Sequence, residues 1–155
     1  MFGIWDFGFG IYKFMGGRRK AREFALQFLY QIEISGDDLE ESLGLFWSEH
    51  PVDPSVKDYA SELVRGTRAE VGKIDPLLAK YAQNWVLDRM AVVDRNLIRM
   101  AVYEMLISKK TPPIVVINEA VDIAKKFSTQ DSGKFVNGIL DKIRGELMRP
   151  ARIVK

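Results

Sequence analysis

Gly17-Arg18-Arg19-Lys20-Ala21-Arg22-Glu23-Phe24-Ala25-Leu26-Gln27-Phe28-Leu29-Tyr30-Gln31-Ile32 opens as a basic cluster and runs without a break into an amphipathic helix. At about 100° per residue, Phe24, Ala25, Phe28, Leu29 and Ile32 share one face, which is core. Arg18, Arg19 and Arg22 fall on one flank of that stripe, and Arg19 shares its sector with Tyr30. Lys20 lies away from the flank and adds only to the general field. The 155-residue chain has a net charge of only +2, yet it concentrates positive charge where a helix begins. Two readings of the cluster are open. It is a solvated chain start, or it is a phosphate-binding track. Guanidinium forks hold phosphate oxygens bidentately, and a tyrosine beside them offers a stacking surface of the kind single-stranded RNA uses.

Downstream, helix follows helix. Asp37 and Asp38 are candidate caps for a short helix carrying Leu39, Leu43, Phe46 and Trp47. Pro54 opens the next, with Val56, Ala60, Leu63, Val64 and Thr67 at helical spacing. Asp75-Pro76 reads as a cap followed by proline at the first helical position, so a helix is expected to start there with Leu77, Leu78 and Tyr81. Ala91 to Ser108 is apolar on nearly every side, interrupted mainly by Asp94, Arg95, Asn96, Arg99 and Glu104, and belongs in the middle of a bundle. Pro112-Pro113 is a hard break. After it come the stripes Val116, Ala120, Ile123, Ala124, Phe127 and Val136, Ile139, Leu140, Ile143, Leu147. The β-branched run Ile114 to Ile117 lacks strand alternation. The expected fold is all-α, with roughly seven helices and no internal repeat.

Composition narrows the function. A chain that is 47% hydrophobic and 28% charged is ordinary for one globular domain. It contains no cysteine, which excludes disulfides, thiol catalysis and thiolate metal sites. The single histidine, His50 beside Pro51, reads as an exposed loop residue without a role. The acidic run Asp37, Asp38, Glu40, Glu41 reads as a solvated helix start complementing the macrodipole rather than a metal site. Gly8, Gly10, Gly16 and Gly17 make no dinucleotide fingerprint, and Ser132-Gly133-Lys134 lacks the first half of a phosphate-binding loop. No nucleophile has a histidine base to serve it. The chain reads as a non-enzyme without cofactor or metal. Residues 1–15, rich in Phe, Gly and Trp but interrupted by Asp6, suit neither a secretory signal nor a membrane span. They are read as an extension, either upstream of the true start at Met15 or a disordered tail; residues 149–155 read as a basic C-terminal tail. A cytoplasmic location with no membrane contact is expected.

Ser128 to Gly138 is the second informative segment. Asp131 or Ser132 is positioned to cap the last helix, whose free N–H groups favour anions, and Lys134 adds charge there. Phe135 lies about 100° from Val136, the centre of the apolar stripe. It is either tucked under the preceding loop or a stacking platform for an unpaired base.

These stretches together resemble the NusB family of transcription antitermination factors. The resemblance runs from Arg18-Arg19-Lys20-Ala21-Arg22-Glu23 through Ala25-Leu26-Gln27 and Leu29-Tyr30. It continues in Trp85 to Met90, Asp94-Arg95-Asn96-Leu97-Ile98-Arg99, Tyr103-Glu104 and Ile117-Asn118-Glu119-Ala120-Val121. It ends in Ala124-Lys125-Lys126-Phe127, Asp131-Ser132 and Lys134-Phe135-Val136-Asn137-Gly138. Residues 36–75 agree in helix pattern rather than in motif. The resemblance implies a NusB-like domain over residues 16–148 with two packed helical subdomains. It implies binding of single-stranded boxA-like RNA in ribosomal RNA leaders together with NusE, the small-subunit ribosomal protein S-ten. It also implies action within an RNA polymerase elongation complex containing other Nus factors. The family's RNA-binding regions fall on Arg18, Arg19, Arg22 and Tyr30, and on Asp131, Lys134 and Phe135. A homodimer remains open as a further partner. Two rivals stand beside this reading. One is the NusB-like module of ribosomal RNA cytosine methyltransferases, which would need a further α/β domain and a catalytic cysteine. The other is a helical adaptor that never touches RNA.

Overall fold

The computed structural model describes residues 17–82 and 89–148. The N-terminal extension 1–15, the tail 149–155 and the Trp85–Asp88 part of the matched motif lie outside the described residues. The described chain is all-α, as expected. Its helices are α1 (Gly17–Ser35), α2 (Leu39–Glu49), α3 (Pro54–Ala69), α4 (Val71–Tyr81), α5 (Val92–Val102), a π-helical stretch Tyr103–Ser108, α6 (Pro113–Phe127) and α7 (Gln130–Leu147). Two compact units divide at Arg65/Gly66, within α3.

In the first unit α1 buries Ala21, Ala25, Leu26, Phe28, Leu29 and Ile32; Ala21 and Leu26 join the expected face, while Phe24, expected in the core, is half-buried at its edge. Asp38 caps α2 by accepting from the Glu41 N–H at 3.0 Å, whereas the Asp37 N–H donates to Ser35 Oγ. Leu43, Phe46 and Trp47 of α2 are buried, and the Trp47 indole N–H donates to Ser61 Oγ at 3.0 Å, so the large ring enters the core with its polar edge satisfied. His50 corrects the expectation of an exposed loop residue. It is the C-cap of α2 and half-buried, stacked on Phe46 with centroids 4.2 Å apart and edge-on to Phe24, with Nδ1 2.8 Å from the Phe46 carbonyl oxygen. Its flat ring extends an aromatic cluster that includes Phe28 and Trp47. The acidic run Asp37, Asp38, Glu40 and Glu41 is exposed, as expected, and within it Glu40 accepts a bidentate pair from Arg65, Nε to Oε1 at 2.7 Å and Nη2 to Oε2 at 2.9 Å.

In the second unit α5 is buried on almost every side. Leu97, Ile98, Met100, Ala101 and Val102 are all at most 2% exposed, and Asp94, Asn96 and Arg99 are buried beside them. The helix loosens into the π-helical stretch, which ends at Lys109. Lys109 adopts a left-handed φ of 57° and its N–H donates to the Glu104 carbonyl at 2.9 Å. Pro112 then serves as N-cap and Pro113 starts α6, where the missing N–H costs nothing. α6 and α7 form the most extensive helix pair, burying Val116, Ala120, Ile123 and Ala124 with Val136, Ile139, Leu140 and Ile143.

The expected helix start at Asp75-Pro76 is wrong. α4 begins at Val71 and carries Pro76 in its second turn. Asp75 does not cap, because both its oxygens are taken by Arg99, Nε to Oδ1 at 2.7 Å and Nη2 to Oδ2 at 2.8 Å. Pro76 withdraws one N–H from the helix, and the carbonyl left without it belongs to Gly72, an exposed residue that water can reach.

Two predictions follow from these contacts. A Cβ added at Gly66 would run into the Tyr103 ring, whereas one at Gly44, inside α2, meets nothing within 4 Å. Gly66→Ala should therefore cost about 1–3 kcal/mol by overpacking, and Gly44→Ala should gain roughly 0.5–1 kcal/mol from backbone entropy; urea unfolding of both variants measures the contrast. The Arg65 hydrogen bonds hold the Glu40 carboxyl below the ordinary carboxylate range. A lowered folded-state pKa stabilises above the unfolded value, about 4.3 for glutamate, and that stabilisation disappears as pH falls through the folded value. Glu40→Gln should thus be slightly less stable than the parent at neutral pH, and the difference should shrink as pH falls below the ordinary glutamate range. Because the pair is fully exposed at Glu40, high salt should shrink the neutral-pH difference.

Candidate nucleic-acid interface

The first turn of α1 contains no acidic residue and three cations, Arg18, Arg19 and Lys20. The N-terminal end of a helix is its positive pole, so this arrangement opposes the macrodipole. An anionic ligand gains from both the side chains and the pole. Arg18 and Lys20 are exposed and Arg19 is half-buried.

Arg22 departs from the expected open flank. It is 3% exposed, its guanidinium carbon lies 5.6 Å from the Tyr59 ring centroid, and Nη2 donates to the Tyr59 hydroxyl at 3.4 Å. The cause is the wider stripe. Arg22, Leu26 and Leu29 are spaced by four and three residues, so once Leu26 is buried Arg22 is carried inward with it. Arg18 sits 4.9 Å from the same ring centroid. Tyr59 of α3 thus receives two guanidinium groups, a role the sequence analysis missed. Tyr59 lies outside the α3 stripe read from the sequence, and helical periodicity does not show which helix a side chain will meet. Tyr30 is 42% exposed on α1. It lies roughly 16 Å from Arg19 along the axis at about 1.5 Å per residue, so the two mark a line along one side of the helix rather than a stacked pair.

In the second unit the segment joining α6 to α7 is built by hydroxyls. The cap is Thr129, not Asp131 or Ser132: Thr129 Oγ1 accepts from the Ser132 N–H at 3.0 Å. Ser132 cannot cap because its own hydroxyl points inward and donates to Asp94 Oδ2 at 2.9 Å. Asp131 stands exposed in the first turn, where its charge suits the helix pole. Lys134 is exposed and Phe135 half-buried. Gly133 has a packing reason, since an added Cβ would lie 2.8 Å from Cγ and 3.0 Å from Cε of Lys125. The Lys125 side chain therefore lies along the first turn of α7. Phe127 is 48% exposed, with the Lys126 ammonium 5.2 Å from its ring centroid. Lys125, Lys126 and Phe127 thus add two cations and an aromatic ring to the segment that carries Lys134 and Phe135, and their signal was the Lys-Lys-Phe run itself. Among the described residues no group of three or more His, Asp or Glu side chains could hold a metal ion.

Among the described residues the arrangement offers cations and aromatic faces in each unit. That chemistry suits recognition of a polyanion with unpaired bases. Comparison with known proteins agrees. The NusB family model matches residues 19–144. The transcription antitermination protein NusB of Desulforapulum autotrophicum is 46% identical over 132 residues, covering 84% of this chain and 92% of that protein. The solved NusB of T. maritima superposes with a TM-score of 0.76 at 42% identity, covering 83% of this chain and 91% of that one. A solved complex of the antitermination factors NusB and NusE with double-stranded RNA matches with a TM-score of 0.77 at 30% identity, covering 84% of this chain and 98% of that one. With its family model spanning most of its length and relatives matched over nearly their whole length, this chain belongs to the NusB family.

Proposed function

We propose that this NusB-family protein is an RNA-binding transcription antitermination factor. It binds boxA-like RNA of ribosomal RNA leader transcripts together with NusE, joins the RNA polymerase elongation complex with other Nus factors, and suppresses premature termination. It is not an enzyme, and it works in the cytoplasm on nascent RNA. The observation that carries this reading is the cation cluster at the positive pole of α1, which opposes folding electrostatics and makes sense as a phosphate site. Similarity to a NusB–NusE–RNA complex supports RNA and NusE as partners. Among the described residues no helix is long and apolar enough to cross a membrane.

Two stretches contact the RNA. On α1, Arg18 and Arg19 bind phosphates and Tyr30 offers an aromatic face. Arg22 supports them from beneath, by holding the Tyr59 ring on which Arg18 rests. At the start of α7, Lys134 binds phosphate, Phe135 stacks on a base, and Asp131 accepts hydrogen bonds from base or ribose.

RNA titrations at several salt concentrations test these roles. Each phosphate contact on single-stranded RNA contributes a log–log slope of about −0.7. Arg18→Ala with Arg19→Ala should weaken binding and flatten the slope, with melting nearly unchanged. Arg22→Ala should instead lower the melting temperature. Lys134→Ala should flatten the slope, whereas Phe135→Ala should lose about 1–3 kcal/mol of affinity at an unaltered slope. A salt-independent affinity of the parent protein would remove the arginine track from the contact surface.

A further inference from the structure

Ser132 Oγ donates to Asp94 Oδ2 at 2.9 Å, between side chains 8% and 7% exposed. Ser128 Oγ lies 2.8 Å from Ser132 Oγ, and Thr129 Oγ1 donates to it at 3.2 Å. Three hydroxyls of the α6–α7 segment are thus gathered towards one carboxylate on α5. The second oxygen of that carboxylate, Oδ1, has no hydrogen-bond partner among the described residues. A buried carboxylate with one oxygen unsatisfied is costly, and an apolar or neutral residue would serve stability better. What the carboxylate supplies is a strong, directional acceptor.

Its geometric consequence reaches the surface. Successive helical residues are about 100° apart. With Ser132 held inward, Lys134 points about 160° away from it, out to solvent. Phe135 falls about 60° from Ser132, on the margin between core and surface. Their observed exposures agree, Lys134 exposed and Phe135 half-buried. A modest rotation of this turn would bury Phe135 or swing it clear.

We propose that Asp94 is a positioning residue for RNA recognition. Through Ser132 it sets the rotation of the first turn of α7 and so the presentation of Lys134 and Phe135. This rests on the assignment of those two residues to RNA contact. The test is a mutant cycle in RNA affinity, with the folded fraction of each variant fixed by circular dichroism. Asp94→Ala should weaken RNA binding about tenfold, within the range of coupling between neighbouring sites. The same substitution in a Lys134→Ala/Phe135→Ala background should cost nothing further. Asp94→Asn, which keeps an acceptor for the Ser132 hydroxyl, should restore most of the affinity. Ser132→Ala removes only the hydroxyl and carries the same cycle if Asp94→Ala folds poorly. Normal affinity of the folded Asp94→Ala and Ser132→Ala proteins, or losses that add to those of Lys134→Ala/Phe135→Ala, would overturn the proposal while leaving the RNA site intact. Normal affinity of Lys134→Ala/Phe135→Ala itself would overturn the assignment of those two residues to RNA, and the positioning role with it.

Discussion

Burial of α5 is the constraint on which the second unit depends. Leu97, Ile98 and Val102 have no measurable exposure, and the helix still carries Asp94, Asn96 and Arg99 into the same interior. Apolar contact is non-directional and tolerates sliding, but buried polar groups require partners at fixed distances. Arg99 therefore fixes α4 through both oxygens of Asp75, and Asp94 fixes the start of α7 through Ser132. Asn96 completes the set locally, donating to the Val92 carbonyl at 3.0 Å and accepting from Arg99 Nη1 at 3.4 Å. Removing either member of the Arg99–Asp75 pair leaves its partner's charge without compensation. These pairs hold helices in register that hydrophobic burial alone would leave free to shift.

The first unit solves a different problem. Its core is aromatic and its interface is charged, and Tyr59 joins the two. A ring with Arg22 buried against it and Arg18 above it lets a cation stand at a helix start with less freedom than a solvated side chain has. Cation–π contact of this kind is worth roughly 0.5–1 kcal/mol at exposed sites. Under the proposed function its larger effect is to pre-order the Arg18 guanidinium, which would reduce the entropy lost on binding phosphate. In both units the residues proposed for RNA contact are thus held by neighbours assigned no contact of their own.

The apolar stripes of α1, α6 and α7, the breaks at Pro54 and Pro112-Pro113 and the all-round burial of α5 were legible in the sequence, because periodicity and proline report local backbone preference directly, although Phe127 and Leu147, drawn into the stripes, end up exposed at the helix ends. What escaped were features decided by partners distant in sequence. Asp75 looked like a cap until Arg99 claimed it, and Pro76 looked like a helix start although an exposed Gly72 carbonyl allowed the helix to run through. Ser132 looked free to cap until Asp94 turned it inward, leaving Thr129 to do so. Arg22 looked surface-bound because the stripe was drawn without Leu26. His50 looked idle because its stacking partner, Phe46, is visible only once the helix end is folded. The candidate site was legible as residue types at Arg18, Arg19, Lys134 and Phe135. The supporting contacts of Tyr59 and Asp94 were not, since each depends on a partner distant in sequence.

The central claim is that RNA meets this protein along the flank of α1 and at the first turn of α7. Photo-crosslinking of 4-thiouridine-substituted boxA-like RNA, with the attached peptides located by mass spectrometry, tests it most directly. Crosslinks should concentrate at Tyr30 on α1 and at Phe135 on α7, and NusE should strengthen them without moving them. Crosslinks confined to the acidic helix α2, or to the exposed face of α3, would contradict it.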